Sequence, residues 1–158
     1  HYGIEPDAIS IAKALGNGMP IGAIWARNEV AASFKPGDHA TTFGGQPMAA
    51  SAALATLEIM KSIDAPSLAN TVGSAIRGKL EEMNGVVSTR GRGMLIAAEL
   101  DPAVLNGRTA GDVANACLHA GLVLNGVTPT ALRIAPPLTI TFAEIEQGMA
   151  VLNSVLNP

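Results

Sequence analysis

Cysteine is almost missing from this chain. Cys117 is the only one in 158 residues. No disulfide within the chain can form, and no cysteine-based metal site either. His1, His39 and His119 stand far apart and show no ligand spacing, so no metal centre is expected. Charge is also scarce, at 15% of residues, with 10 Lys and Arg against 13 Asp and Glu. A net charge of −3 without a basic cluster argues against nucleic acid or an anionic membrane as partner. No apolar run approaches the roughly 18 residues that a spanning helix needs, and there is no signal-peptide pattern. A reduced, cytoplasmic setting is the expectation. The chain opens on His1 in mid-pattern, HYGIEPDAISIAK, and reads as part of a longer protein.

What is present is apolar: 48% of residues, enough for a core and a buried interface besides. Residues 7–15, DAISIAKAL, carry the apolar content of a short strand or a helical turn. The glycine-rich 16–22 breaks any regular element. IGAIWA (21–26) reads as a buried strand, 29–34 as a short helix closed by KPGDH, and TTFGGQP (41–47) as an irregular loop. Pro47 then opens an Ala-rich helix over 47–62. Pro66 opens a second, with Leu68, Val72, Ile76, Leu80 and Met83 on one stripe and Asn84-Gly85 as its stop. Residues 86–100 read as two strands, or one bent strand broken at Gly91 and Gly93. Thr109 and Asp112 cap a helix over 109–121. LVLNGV and ALRIAP read as a strand pair joined near Pro129. Thr141 and Glu144 cap a last helix, with Phe142, Ile145, Met149, Leu152, Val155 and Leu156 on its apolar face. The expected division is 1–62, the end of a larger domain, and 63–158, a small α/β domain.

Three places can carry chemistry. Lys13 sits in apolar IAKALG, where desolvation favours the neutral amine that Schiff-base chemistry needs. The plain alternative is a lysine snorkelling at a strand edge. TTFGG sets two hydroxyls beside bare backbone N–H groups, a phosphate cradle or an ordinary glycine turn. Arg133 stands mid-strand in LRIAPPL, where a buried guanidinium wants an anion: a substrate carboxylate or a structural ion-pair partner. Arg90 and Arg92 in TRGRG read as structural or interface residues. GNGMPIG lacks the G-x-G-x-x-G spacing of a dinucleotide site.

The order DAISIAKALGNG, GMPIGA, HATTFGGQP, TRGRG, GLVLN, LRIAPPLTIT resembles the second half of class III aminotransferases, of the ornithine/acetylornithine type, over essentially the whole chain. The resemblance implies an α/β fold: the C-terminal portion of a fold type I pyridoxal-phosphate transferase. It implies pyridoxal 5'-phosphate as cofactor, amino-acid and 2-oxo-acid substrates, and a homodimer. Asp7, Ala12, Lys13, Asn17 and Gly18 match the end of the family's attachment pattern. Lys13 would hold the cofactor and shuttle the substrate proton. Thr42 would bind the cofactor phosphate across the subunit boundary, and Arg133 the substrate α-carboxylate. Asn17 stands where many members have Gly, and Gln46 where Asn is common; neither change removes a chemical group. The implied reaction moves an amino group between N-acetylornithine and 2-oxoglutarate, in arginine biosynthesis. The alternatives are ornithine or 4-aminobutyrate as donor, or a non-catalytic association module. The family's pyridine-nitrogen partner and glycine-rich phosphate loop lie upstream of its attachment lysine, so these residues alone are expected to be inactive.

Overall fold

The computed structural model describes residues 2–39 and 41–158; His1 and Ala40, the latter inside HATTFGGQP, lie outside the described residues. The chain divides into two compact units, His1–Ile63 and Asp64–Pro158.

The first unit holds β1 (Ala8–Ile11) and β2 (Ala23–Ala26), paired antiparallel with Ile9 opposite Trp25. A 3-10 turn, Lys13–Gly16, follows β1 directly. Helix α1 spans Asn28–Ala31 and α2 spans Pro47–Ser62. The α2 start falls at Pro47 because proline fixes φ and its missing N–H has no partner to lose in a first turn. Its buried residues are the alanines Ala49 and Ala53, and the helix packs against the 3-10 turn. The strand expected to be buried at 21–26 is not: Ile24 and Trp25 are 66% and 52% exposed. A two-stranded ribbon has no second layer of its own to cover such side chains.

In the second unit, α3 (Ala65–Glu81), β3 (Val86–Arg92), β4 (Leu95–Leu100), α4 (Pro102–Leu105), α5 (Ala110–His119), β5 (Asn125–Gly126), β6 (Ala131–Ile134) and α6 (Phe142–Leu156) follow in order. The four strands form one antiparallel sheet ordered β3-β4-β6-β5. β3 runs through Gly91 to Arg92 and the chain reverses at Gly93-Met94, so the region is two strands with their break at Gly93. β4 alternates: Ile96, Ala98 and Leu100 are buried while Leu95, Ala97 and Glu99 are not. Leu132 and Ile134 of β6 join the same core, with Val72, Ile76 and Leu80 of α3, Val113 and Cys117 of α5, and Ile145, Leu152 and Leu156 of α6. Each large side chain so buried is worth roughly 1.5–3 kcal/mol. Helices thus cover one sheet face. Phe142 departs from expectation: it is 59% exposed, one residue past the Thr141 cap and short of the core.

Both expected capping boxes form. The Thr109 N–H donates to Asp112 Oδ2 and the Thr141 N–H to Glu144 Oε2, each at 2.7 Å. The Asp112 and Glu144 N–H groups return bonds to the threonine hydroxyls at 3.2 Å. The backbone bonds first, then the hydroxyls, hold both carboxyls below their ordinary pKa. A lowered carboxylate pKa gives stability that is present above the unfolded value and lost as pH falls through the folded one. Glu144→Gln is therefore expected to lower the thermal midpoint at neutral pH, with the gap to the native chain closing as the solution is acidified below the carboxylate range. Thermal denaturation by circular dichroism at several pH values measures this; a gap independent of pH contradicts it.

Candidate active site

Lys13 is placed by the junction between β1 and the 3-10 turn. Ala12 is still extended, and Lys13 itself takes φ 55°, in the left-handed region. For a residue with a long side chain this conformation costs on the order of 1–3 kcal/mol, and such strained positions gather at functional sites. Asn17 closes the turn at φ 45° with its N–H donating to the Ala14 carbonyl at 3.0 Å. Asparagine tolerates that conformation better than most residues. The apolar enclosure expected around Lys13 is not supplied by this chain, because the side chain is exposed. Its amine makes no ion pair or hydrogen bond among the described residues. At the other end of β1, Arg27 pairs with Glu5 at 3.2 Å and Asp7 at 3.3 Å, fixing the segment that leads into the strand.

Thr42 lies in the loop before α2, exposed, next to Thr41. A Cβ at Gly44 would lie 2.1 Å from Thr41 Cγ2, so a side chain there would force Thr41 to turn aside where the loop folds back on itself. Gln46, the residue ahead of Pro47, makes no side-chain cap. The first N–H groups of α2 are thus left to another acceptor, and such groups suit an anion. A primary amine without an internal partner fits the aldehyde of pyridoxal phosphate. A bare loop with two threonine hydroxyls before an uncapped helix fits its phosphate.

Arg133 belongs to the second unit. It was expected in a buried strand; it is exposed, because burying Leu132 and Ile134 turns the residue between them to the opposite sheet face. Its Nη2 donates to Asn125 Oδ1 at 3.1 Å. It makes no ion pair among the described residues. Glu99, on the same face, is already engaged: Arg90 Nη1 lies 2.8 Å from its Oε2, and the Thr130 hydroxyl donates to Oε1. The Thr130 bond first, and the Arg90 guanidinium after it, hold Glu99 below the usual carboxylate range. Arg90, read as structural from sequence, is so paired. Asn125 was not singled out in the sequence; the signal was the strand pair itself, whose register sets Asn125 opposite Arg133.

Lys13 and Thr42 therefore share the first unit, and Arg133 stands in the second. A cleft lined by Glu5, Ile9, Trp25 and Arg27 includes none of the three. Among the described residues no helix is long and apolar enough to cross a membrane.

Comparison with known proteins places this arrangement. The chain is 39% identical over 160 residues to acetylornithine aminotransferase of Methanothermobacter thermautotrophicus, covering 99% of this chain and 40% of that one. It is 40% identical to the Bifidobacterium longum protein of the same name, over 97% of this chain and 35% of that one. The chain thus spans about two fifths of the length of the curated relatives it matches. Among solved structures, an ornithine delta-aminotransferase of Plasmodium falciparum superposes with TM-score 0.86 at 30% identity, over 99% of this chain and 40% of that one. An acetylornithine aminotransferase of Elizabethkingia anophelis superposes with TM-score 0.84 at 28% identity, over 97% and 41%. The family description "Aminotransferase class-III" matches residues 1–156, and the chain belongs to that family.

Proposed function

We propose that the protein containing this chain moves an amino group between N-acetylornithine and 2-oxoglutarate, with pyridoxal 5'-phosphate as cofactor, as a step of arginine biosynthesis in the cytoplasm. The observation that carries the reading is Lys13. The lysine of the family's attachment pattern sits in a strained backbone conformation with an unengaged amine. The names of the curated relatives support the acetylated donor. Solved neighbours named ornithine aminotransferase keep ornithine as the competing donor.

In this reading Lys13 Nζ would hold the cofactor's aldehyde end and Thr42 its phosphate end, in a homodimer with Thr42, Gly44 and Gly45 near the subunit boundary. The exposed Ile24, Trp25 and Phe43 support further covering of the first unit in the whole protein. When bound, the cofactor supplies an electron sink conjugated to the substrate α-carbon. Lys13 Nζ would carry the proton from the substrate α-carbon to the cofactor's C4′ carbon, and in the opposite direction when the 2-oxo acid takes up the amino group. Arg133 would grip the α-carboxylate with its planar fork, a bidentate contact that fixes the orientation of the amino acid. Both the amino acid and the 2-oxo acid carry that carboxylate, so one guanidinium serves both halves of the exchange.

Lys13→Ala in the full-length enzyme is expected to bind cofactor but lose the visible absorbance of lysine-bound pyridoxal. Amino transfer should fall by at least ~10²–10⁴-fold, the usual worth of one acid–base role; near-normal turnover refutes the assignment. Arg133→Lys keeps the charge and loses the fork. It should weaken both substrates by about 1.5–3 kcal/mol, read as KM, and leave the cofactor Kd alone. A loss confined to cofactor affinity contradicts the role.

A further inference from the structure

We propose that Asn125 is a positioning residue for Arg133: a neutral tether that fixes the guanidinium without cancelling its charge. The proposal rests on the reading that Arg133 receives a substrate carboxylate.

Asn125 and Arg133 stand directly opposite each other in the β5–β6 pair. Side chains so placed on one sheet face are neighbours. Guanidinium has five N–H donors and no acceptor, so the amide must turn its oxygen to it, as the 3.1 Å bond shows. That bond uses one donor and leaves a free edge for a bidentate carboxylate. On the other side Arg133 faces Ala97, which has no group to hold it. Glu99, two residues along β4 from Ala97, is kept by Arg90 and Thr130. Among the described residues Asn125 is therefore the side chain that restrains the fork.

The tether is itself held firmly. β5 has only two residues, and its second, Gly126, presses on the start of α5. A Cβ at Gly126 would lie 2.5 Å from the Gly111 nitrogen and 2.8 Å from the Ala110 carbonyl carbon, backbone atoms that cannot turn aside. The hairpin is closed by the Val127 N–H to the Ala131 carbonyl at 2.9 Å. It is tied to α5 by the Ala110 N–H to the Pro129 carbonyl at 2.7 Å.

The neutrality of Asn125 matters as much as its reach. An aspartate there would bond the guanidinium more strongly and compete with the substrate for it. A purely structural role gives the opposite order, since aspartate is nearly isosteric and keeps the hydrogen bond.

The test uses the full-length holoenzyme with Asn125→Ala, Asn125→Asp and Arg133→Lys, measuring KM for the amino acid and for 2-oxoglutarate, kcat, cofactor Kd and thermal midpoint. Asn125→Ala should raise both KM values about threefold to tenfold, the worth of one hydrogen bond, with cofactor Kd unchanged. Asn125→Asp should raise them further while its thermal midpoint equals or exceeds that of Asn125→Ala. Unchanged KM in Asn125→Ala alongside raised KM in Arg133→Lys overturns the tether and leaves the reading of Arg133 standing. Asn125→Asp with KM values at or below those of the native enzyme overturns the neutral-tether argument, a comparison that stands even if the alanine variant fails to fold. Unchanged KM in Arg133→Lys removes the reading itself, and the proposal with it.

Discussion

The two-residue period of β6 governs the chemistry available on the second unit. Leu132 and Ile134 are buried between the sheet and its covering helices. Successive side chains of a strand point to opposite faces, so Arg133 has to leave the core. No costly buried guanidinium results. The same alternation in β4 sends Ala97 and Glu99 outward, giving Arg133 a small neighbour and Glu99 a place beside Arg90 and Thr130. With Glu99 engaged by Arg90 and Thr130, the Arg133 fork is left with its bond to Asn125 and an open edge. Core packing, rather than any feature of the site, sets this out.

The first unit works from a different constraint. Its ribbon cannot bury its own apolar residues, and the stiff part is the junction of strand, 3-10 turn and α2. There the backbone of Lys13 is forced to positive φ, and the small residues Ala49 and Ala53 of α2 let the helix come close to the turn. The loop that carries Thr42 folds back at Gly44 and ends where α2 begins. Amine and hydroxyls are thus set by backbone features more than by side-chain bonds.

Much of this was legible in the sequence, for identifiable reasons. The sequence predicts helix α2 at its observed bounds because Pro47 marks the first turn and alanine favours the interior. The caps of α5 and α6 were legible because Thr-x-x-Asp and Thr-x-x-Glu satisfy backbone donors locally. Burial was harder. IGAIWA looks like an interior strand, yet burial is a property of partners, and the first unit supplies few. Arg133 looked buried because both neighbours are apolar, although an apolar-polar-apolar triplet is also the signature of a half-exposed strand. The helical stripe predicts Phe142 in the core, whereas the cap leaves it outside. Asn125 escaped notice because its meaning lies in a cross-strand register, which no local pattern encodes.

The central claim is that core packing presents Arg133 as the receptor for the substrate's α-carboxylate. It is tested most directly by a crystal structure of the full-length enzyme with 2-oxoglutarate bound. The expected result is a carboxylate lying side-on to Arg133, with two nitrogen–oxygen contacts at about 2.7–2.9 Å. A carboxylate bound elsewhere, with Arg133 turned to a protein acid, contradicts the account.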